Sequence, residues 1–174
     1  MDEIKLVFPT KEYEAAVIGY KEEFLRNDEI MQGVAGLDVA RSYEAWLKRL
    51  NDSLSEETVQ PGLVPSTTYL GVRTSDNKVV GMIDIRHRLN DYLFRLGGNI
   101  GYSVRKSERR KGYAKAMLGL ALEKCKELGL DRVLVTCYKD NIASAKTIMA
   151  NGGVLEDEVI ESTGITQRYW IALK

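Results

Sequence analysis

Apolar positions along the chain switch between two periods, and the switches mark out the elements. Ile4 to Phe8 is a short strand-like run that Pro9 stops, with Thr10 placed to cap a helix. Tyr13, Ala16, Val17, Tyr20 and Phe24 recur at helical spacing and predict a helix reaching about Asn27. After a looser stretch from Asn27 to Asp38, broken by Gly33 and Gly36, a second helix is predicted from about Arg41, with Tyr43, Trp46, Leu47, Leu50 and Leu54 on one face. Both apolar faces are expected to be core. Ser55 to Ser66 is polar, interrupted by Pro61, Gly62 and Pro65, and reads as an exposed connection.

The period then shortens. Thr67 to Thr74 and Lys78 to Arg88 read as two strands joined through Ser75-Asp76-Asn77, an antiparallel hairpin. Leu89 to Leu96 fits neither period. Asn99 to Val104 reads as the next strand. Beyond a basic stretch, Ala114, Met117, Leu118, Ala121, Leu122, Cys125 and Leu128 form the unbroken apolar stripe of a long helix, which Gly129 is placed to end. Val133-Leu134-Val135, within Arg132 to Tyr138, is typical of a strand covered on both faces. Strand, helix, strand implies a parallel pair with a right-handed crossover. A short helix from Asn141 to about Ala150 stops at Asn151-Gly152-Gly153, and Val154 to Ile160 with Ile165 to Leu173 reads as a closing hairpin turning near Ser162 to Gly164. The order predicts one α/β domain of the α+β kind over 1–174, with no repeat or linker.

Charge narrows the picture. The 25 basic and 25 acidic side chains cancel, and the pI near 6.6 removes the broad positive footprint of a nucleic-acid binder, so any basic site is local. Cys125 and Cys137 are too few for a disulfide framework and are expected to be buried thiols in a reducing compartment. The opening MDEIKLVFP has no apolar core behind a basic segment, and no apolar run is long enough to span a bilayer. A cytoplasmic protein without membrane, nucleic-acid or metal partners is expected, with a homodimer left open.

The local basic stretch is Val104 to Ala114, V-R-K-S-E-R-R-K-G-Y-A, between the end of a strand and the start of the long helix. Amide N–H groups at a helix N-terminus lack helical acceptors and carry the positive end of the dipole. Gly112 allows close main-chain approach, and Arg109, Arg110 and Lys111 add charge, so a phosphate or diphosphate is the expected occupant. A merely solvated basic face is the plainer alternative. Neither the Walker loop nor the dinucleotide fingerprint is present.

The pattern R-x-x-G-x-A, formed by Arg109, Gly112 and Ala114 directly after a strand, resembles the acyl-CoA pyrophosphate loop of the GNAT superfamily of N-acetyltransferases. Asn141-x-x-Ser144 followed by Asn151-Gly152-Gly153 resembles that family's downstream helix, and the order of elements matches along most of the chain. The resemblance implies a mixed, mostly antiparallel central sheet of six to seven strands with a splayed parallel pair, flanked by about four helices. It implies acetyl-CoA as donor, with its pyrophosphate on the amides of Arg109, Arg110, Lys111, Gly112, Tyr113 and Ala114. The main chain of Tyr102, Ser103 and Val104 would pair with the pantetheine arm, and Asn141 and Ser144 would line the other wall. The implied reaction is attack of a primary amine of a small molecule or peptide on the acetyl thioester. An acyl-CoA-binding sensor without turnover is the competing reading.

One departure stands out. The tyrosine that often serves the family as general acid, seven residues beyond the motif asparagine, is Ile148 here. Tyr138, Tyr102 or water are the candidate substitutes. No carboxylate lies in Asn99 to Val104, where some members carry their base, which leaves His87 and Asp84 on the preceding strand, placed on opposite faces by alternation. Arg86 and Arg88 are expected to hold the His87 pKa down. Glu22, Glu23 and Glu44 lie on helices that could border an acceptor site; the plainer readings are that these glutamates are solvated, that His87 is a surface or hydrogen-bonded residue, and that the tyrosines only pack.

Overall fold

The computed structural model describes residues 2–173, so the two end residues of the expected 1–174 domain lie outside the described residues. Seven strands form one sheet: β1 (Ile4–Val7), β2 (Ser66–Arg73), β3 (Val79–Arg86), β4 (Ile100–Val104), β5 (Arg132–Tyr138), β6 (Val154–Glu161) and β7 (Gly164–Ala172), in spatial order β1-β2-β3-β4-β5-β7-β6. Every neighbouring pair is antiparallel except β4 and β5. Four α-helices cover it: α1 (Glu14–Arg26), α2 (Tyr43–Asp52), α3 (Tyr113–Glu127) and α4 (Ile142–Met149). This is the mixed, mostly antiparallel architecture that the sequence implied.

Alternation along β3 divides the core in two. Val79 and Met82 join Leu70 and Val72 against Val17, Tyr20 and Phe24 of α1 and Trp46 and Leu50 of α2. Val80, Ile83 and Ile85 turn the other way, toward Met117, Leu118 and Ala121 of α3 and Ile148 of α4. Gly71 and Gly81 face each other across β2 and β3, and a Cβ on either would lie 2.5 Å from the Met117 sulfur. Helix α3 therefore rests on a floor without side chains, nearer the sheet than larger residues would permit.

Local signals were partly redirected. Helix α2 is capped by Ser42, whose Oγ accepts from Ala45 N, whereas the Thr10 side chain makes no capping bond and its carbonyl accepts from the Tyr43 hydroxyl instead. Leu54, placed on the apolar face of the second helix by spacing, falls beyond its end and is 41% exposed. The aperiodic Leu89 to Leu96 stretch contains a π-helical turn, Leu93–Gly97, closed by Gly98 N donating to Leu93 O. Wider spacing than the α-helical 3.6 explains why neither period fitted.

The parallel pair is splayed. Strands β4 and β5 share one registered position, Ile100 opposite Val135, while β5 pairs with β7 along its whole length. Just before it, Asn99 N donates to Leu134 O (2.7 Å), and Leu134 N donates to the Asn99 side-chain Oδ1 (2.9 Å). Beyond it the strands part. The α1–α2 connection packs on β4 at this level: Gly33, at φ +66°, sits so close that a Cβ would lie 2.1 Å from Gly101 O.

Gly33→Ala should cost about 2 kcal/mol or more, combining left-handed strain with a backbone clash. Gly62→Ala, at φ +83° with open space around it, should cost only about 1 kcal/mol. Urea unfolding of the two variants checks the difference.

Candidate active site

The free edge of β4 supplies one wall. Asn99 O accepts from Arg86 N and Arg105 N donates to Val80 O, so the amide groups of residues 101 and 103 between them address β3, whereas Asn99 N turns to Leu134 O of β5. By alternation, those of Ile100, Tyr102 and Val104 address β5. Ile100 meets Val135; Tyr102 and Val104 face the gap. Val104 O is taken by Arg109 Nε at 2.9 Å, which leaves the Tyr102 N–H and C=O and the Val104 N–H along the opening.

The basic loop supplies the next wall. Arg110 (φ +62°) and Gly112 (φ +85°) both adopt left-handed conformations, and Gly112 is the N-cap of α3 with no side chain capping the helix. The first N–H groups of α3 thus emerge unpaired by helix bonds at the positive dipole end. Two carboxylates hold this shape. Glu23 on α1 accepts from Ser107 N (2.8 Å) and from Arg105 Nε (2.6 Å). Glu108, only 3% exposed, accepts from Arg73 Nη1 (2.9 Å), Lys78 Nζ (2.6 Å) and Lys111 Nζ (2.8 Å). Burial alone would raise the Glu108 pKa, but hydrogen bonds from Lys111 and Lys78 and the Arg73 charge outweigh it and hold the carboxyl at about 2.

Loop, strand edge, α4 and the end of α1 with the connection that follows it, through Phe24, Ile30 and Gln32, line a cavity of about 690 Å³. Tyr102, Ser103, Val104, Arg109, Arg110, Gly112, Tyr113, Ala114, Asn141 and Ser144 all line it. Lys111, grouped with them in the sequence, turns its ammonium to Glu108 instead. The Arg109 guanidinium does not point freely inward either: its two Nη atoms donate to Glu29 at 2.9 and 2.6 Å. Asn141 caps α4, its Oδ1 accepting from Ser144 N. Tyr102 Oη and Ser144 Oγ lie 2.8 Å apart across the opening, and burial, partly offset by that bond, pushes the Tyr102 phenol up to about 12.

The other candidates are dispersed. Tyr138 is 51% exposed, outside this cavity, and shares the sheet face of Thr136 rather than that of Cys137, whereas Tyr102 packs with the α3–α4 core. The two tyrosines thus occupy opposite faces of the sheet. His87 lies six residues along β3 from Gly81, the partner of Val104, or about 20 Å. Its Nε2 is 2.8 Å from Thr67 Oγ1. Its pKa is lowered as expected but for another reason: burial does it, while Arg86 is paired with Asp84 and Arg88 with Glu56. Asp84 is buried against Thr68 and Arg86. Ile148 is fully buried in the core beneath α4, and burial raises the pKa of the Cys137 thiol.

Sequence reasoning passed over Glu108 and treated Glu23 as a solvated helix residue. The available signal was an acidic residue inside a run of five cations between Arg105 and Lys111, where a buried counter-charge is the way to keep so many close together.

The sequence model described as Acetyltransferase (GNAT) domain matches residues 6–154. No curated protein matches the chain. Solved structures superpose over almost its full length at low identity. The ribosomal-protein-S5-alanine acetyltransferase from Vibrio fischeri is 18% identical with a TM-score of 0.69, covering 100% of this chain and 95% of its own. The microcin C7 self-immunity acetyltransferase MccE, solved with acetyl-CoA and AMP, is 16% identical with a TM-score of 0.70, over 99% and 93%. The yncA protein from Salmonella typhimurium, solved with its cofactor acetyl-CoA, is 12% identical with a TM-score of 0.65, over 98% and 94%. At these identities the likeness is one of fold. Among the described residues no helix is long and apolar enough to cross a membrane.

The Glu108 carboxylate makes a pH prediction. The folded state keeps it ionised down to about pH 2, while the unfolded chain protonates near 4.5, so its stabilisation is complete above pH 4.5 and is lost as the pH falls to about 2. Glu108→Gln should cost about 3 kcal/mol at neutral pH by leaving buried cations uncompensated, and should flatten the acid limb of the stability curve. Denaturant titrations between pH 2 and 7 measure both.

Proposed function

The chain belongs to the GNAT acetyltransferase family, whose members take the acetyl group from acetyl-CoA, and from that premise we propose that it is an N-acetyltransferase acting on a primary amine of a small molecule or peptide. The observation that carries this reading is a conjunction: an unpaired strand edge, an uncapped helix N-terminus and the Asn141–Ser144 wall all open on one cavity. Acetyl-CoA supplies an acetyl thioester; the amine nitrogen bonds to the carbonyl carbon, the carbon–sulfur bond breaks, the nitrogen loses a proton and the sulfur gains one.

In this reading the α3 amides, with Arg110 and the loop main chain, hold the diphosphate. The Tyr102 N–H and C=O pair with the pantetheine arm as an added strand would, and the Val104 N–H polarises the thioester carbonyl. Of the four side-chain candidates for proton transfer, His87, Asp84, Tyr138 and Tyr102, only Tyr102 lines the cavity. A thiolate with a pKa of about 8.5 will not strip a phenol held near 12, so Tyr102 acts as a hydrogen-bond donor to the departing sulfur, with solvent delivering the proton. Tyr138, on the far face, borders the acceptor. With no free carboxylate at the opening among the described residues, the amine enters in its neutral form. An acyl-CoA-binding module without turnover, the alternative that Ile148 suggests, is separated from this reading by steady thiol release.

Calorimetry should detect acetyl-CoA binding by the wild type and none by Gly112→Arg; unchanged affinity in that variant would overturn the placement of the seat. Thiol-release assays across an amine panel should show Tyr102→Phe losing about 10²-fold in kcat with little change in KM for acetyl-CoA. Below the amine pKa, kcat/KM should rise about tenfold per pH unit, with His87→Ala within about twofold of wild type, since only the neutral amine attacks. A plateau that His87→Ala abolishes would restore the histidine as base.

A further inference from the structure

Arg86 is placed where an acceptor would arrive, and neither its pairing with Asp84 nor the packing of the core requires its reach. Asp84 and Arg86 share the α1–α2 face of β3 with Met82, and Gly101 is the β4 partner of Asp84. A Cβ at Gly101 would lie 3.2 Å from Arg86 Nη2 and 3.3 Å from Nη1. The guanidinium thus crosses onto β4, one residue past Ile100, where β4 and β5 begin to part. It is rigidly held. Nε lies 2.9 Å from Asp84 Oδ2, Nη1 donates to Gly97 O (3.3 Å) and Gly98 O (3.4 Å), and Asp84 Oδ1 in turn accepts from Thr68 Oγ1 (2.9 Å). Nη2 makes no hydrogen bond among the described residues, and the side chain is 23% exposed, so a solute can reach it.

Tyr102, the next residue along, turns to the opposite face. At one level of the sheet, then, Tyr102 lines the donor cavity from the side toward α3 and α4, while the side toward α1 and α2 carries an oriented cation with a spare donor. We propose that Arg86 is the specificity-determining residue for the acceptor, and that the acceptor is an amine carrying a carboxylate a few atoms from its nitrogen. This rests on the acetyl-transfer reading. Gly101 puts no side chain between the guanidinium and the β4 main chain, and Gly33 N closes the space beside Gly101, so the carboxylate docks on the solvent side of Nη2 while the nitrogen lies over the opening.

The test uses matched pairs, each an amino acid and its carboxamide, including α-amino acids, ω-amino acids and dipeptides. Thiol release is followed with wild type, Arg86→Lys and Arg86→Met, and acetyl-CoA affinity is measured by calorimetry on the same preparations. Wild type should favour the acids by about tenfold to a hundredfold in kcat/KM. Arg86→Met should bring that ratio to about one, with Arg86→Lys between, while acetyl-CoA affinity stays within about twofold. If Arg86→Met does not fold, the wild-type ratio and its fall in Arg86→Lys decide. Equal use of acid and amide by wild type, turnover confined to amines without a carboxylate, or a preference that survives in Arg86→Met overturns the proposal alone. Acetyl-CoA binding without turnover on any pair also overturns it. Absence of acetyl-CoA binding by wild type defeats the acetyl-transfer reading as well.

Discussion

One rung joins the two halves of the sheet, and the site is what that rung leaves undone. A full β4–β5 ladder would consume the amides of Tyr102 and Val104; here the ladder ends at Ile100 and Val135. Asn99 makes the ending stable. Its side-chain carbonyl accepts from Leu134 N, and its Nδ2 donates to Arg86 O, so the buried groups at the base are satisfied and only those at the opening stay unpaired by protein. Buried polar main chain is costly without partners, which confines such an edge to a place where water or a ligand completes it.

The loop beside that edge is far less positive than its composition suggests. Arg105 is spent on Glu23, Arg109 on Glu29 and Lys111 on Glu108. Arg110 keeps no carboxylate partner among the described residues. What the loop offers an anion is mainly oriented amides and the α3 dipole, with the guanidinium and ammonium groups acting as struts that fix the loop. That division suits a ligand that must leave after each turnover.

Much of this was legible in the residues. The α3 stripe, the V-L-V strand and the hairpins follow from periodicity, and so does the strand–loop–helix order around Val104 to Ala114. The parts that were not legible share a cause: each depends on partners far away in sequence. Glu108 reads as one more surface charge until Arg73 and Lys78 converge on it. Glu23 reads as solvated until Ser107 and Arg105 reach it from a segment over eighty residues away. Alternation placed His87 and Asp84 on opposite faces, but it carries no information about distance from a loop at the other end of the strand.

The floor made by Gly71 and Gly81 has a mechanical consequence. Because Met117 is seated directly on these glycines, they set the height of α3 above the sheet, and the amides at its first turn inherit that height. The pair works as a shim. A single added methyl in the middle of β2 would press on the Met117 sulfur, and any rise of α3 that relieved it would move the first-turn amides relative to the β4 edge. Such a displacement would reshape the cavity without touching any residue that lines it. Small residues remote from the chemistry thus govern its alignment, and the tolerance for substitution is tightest where the chain looks plainest.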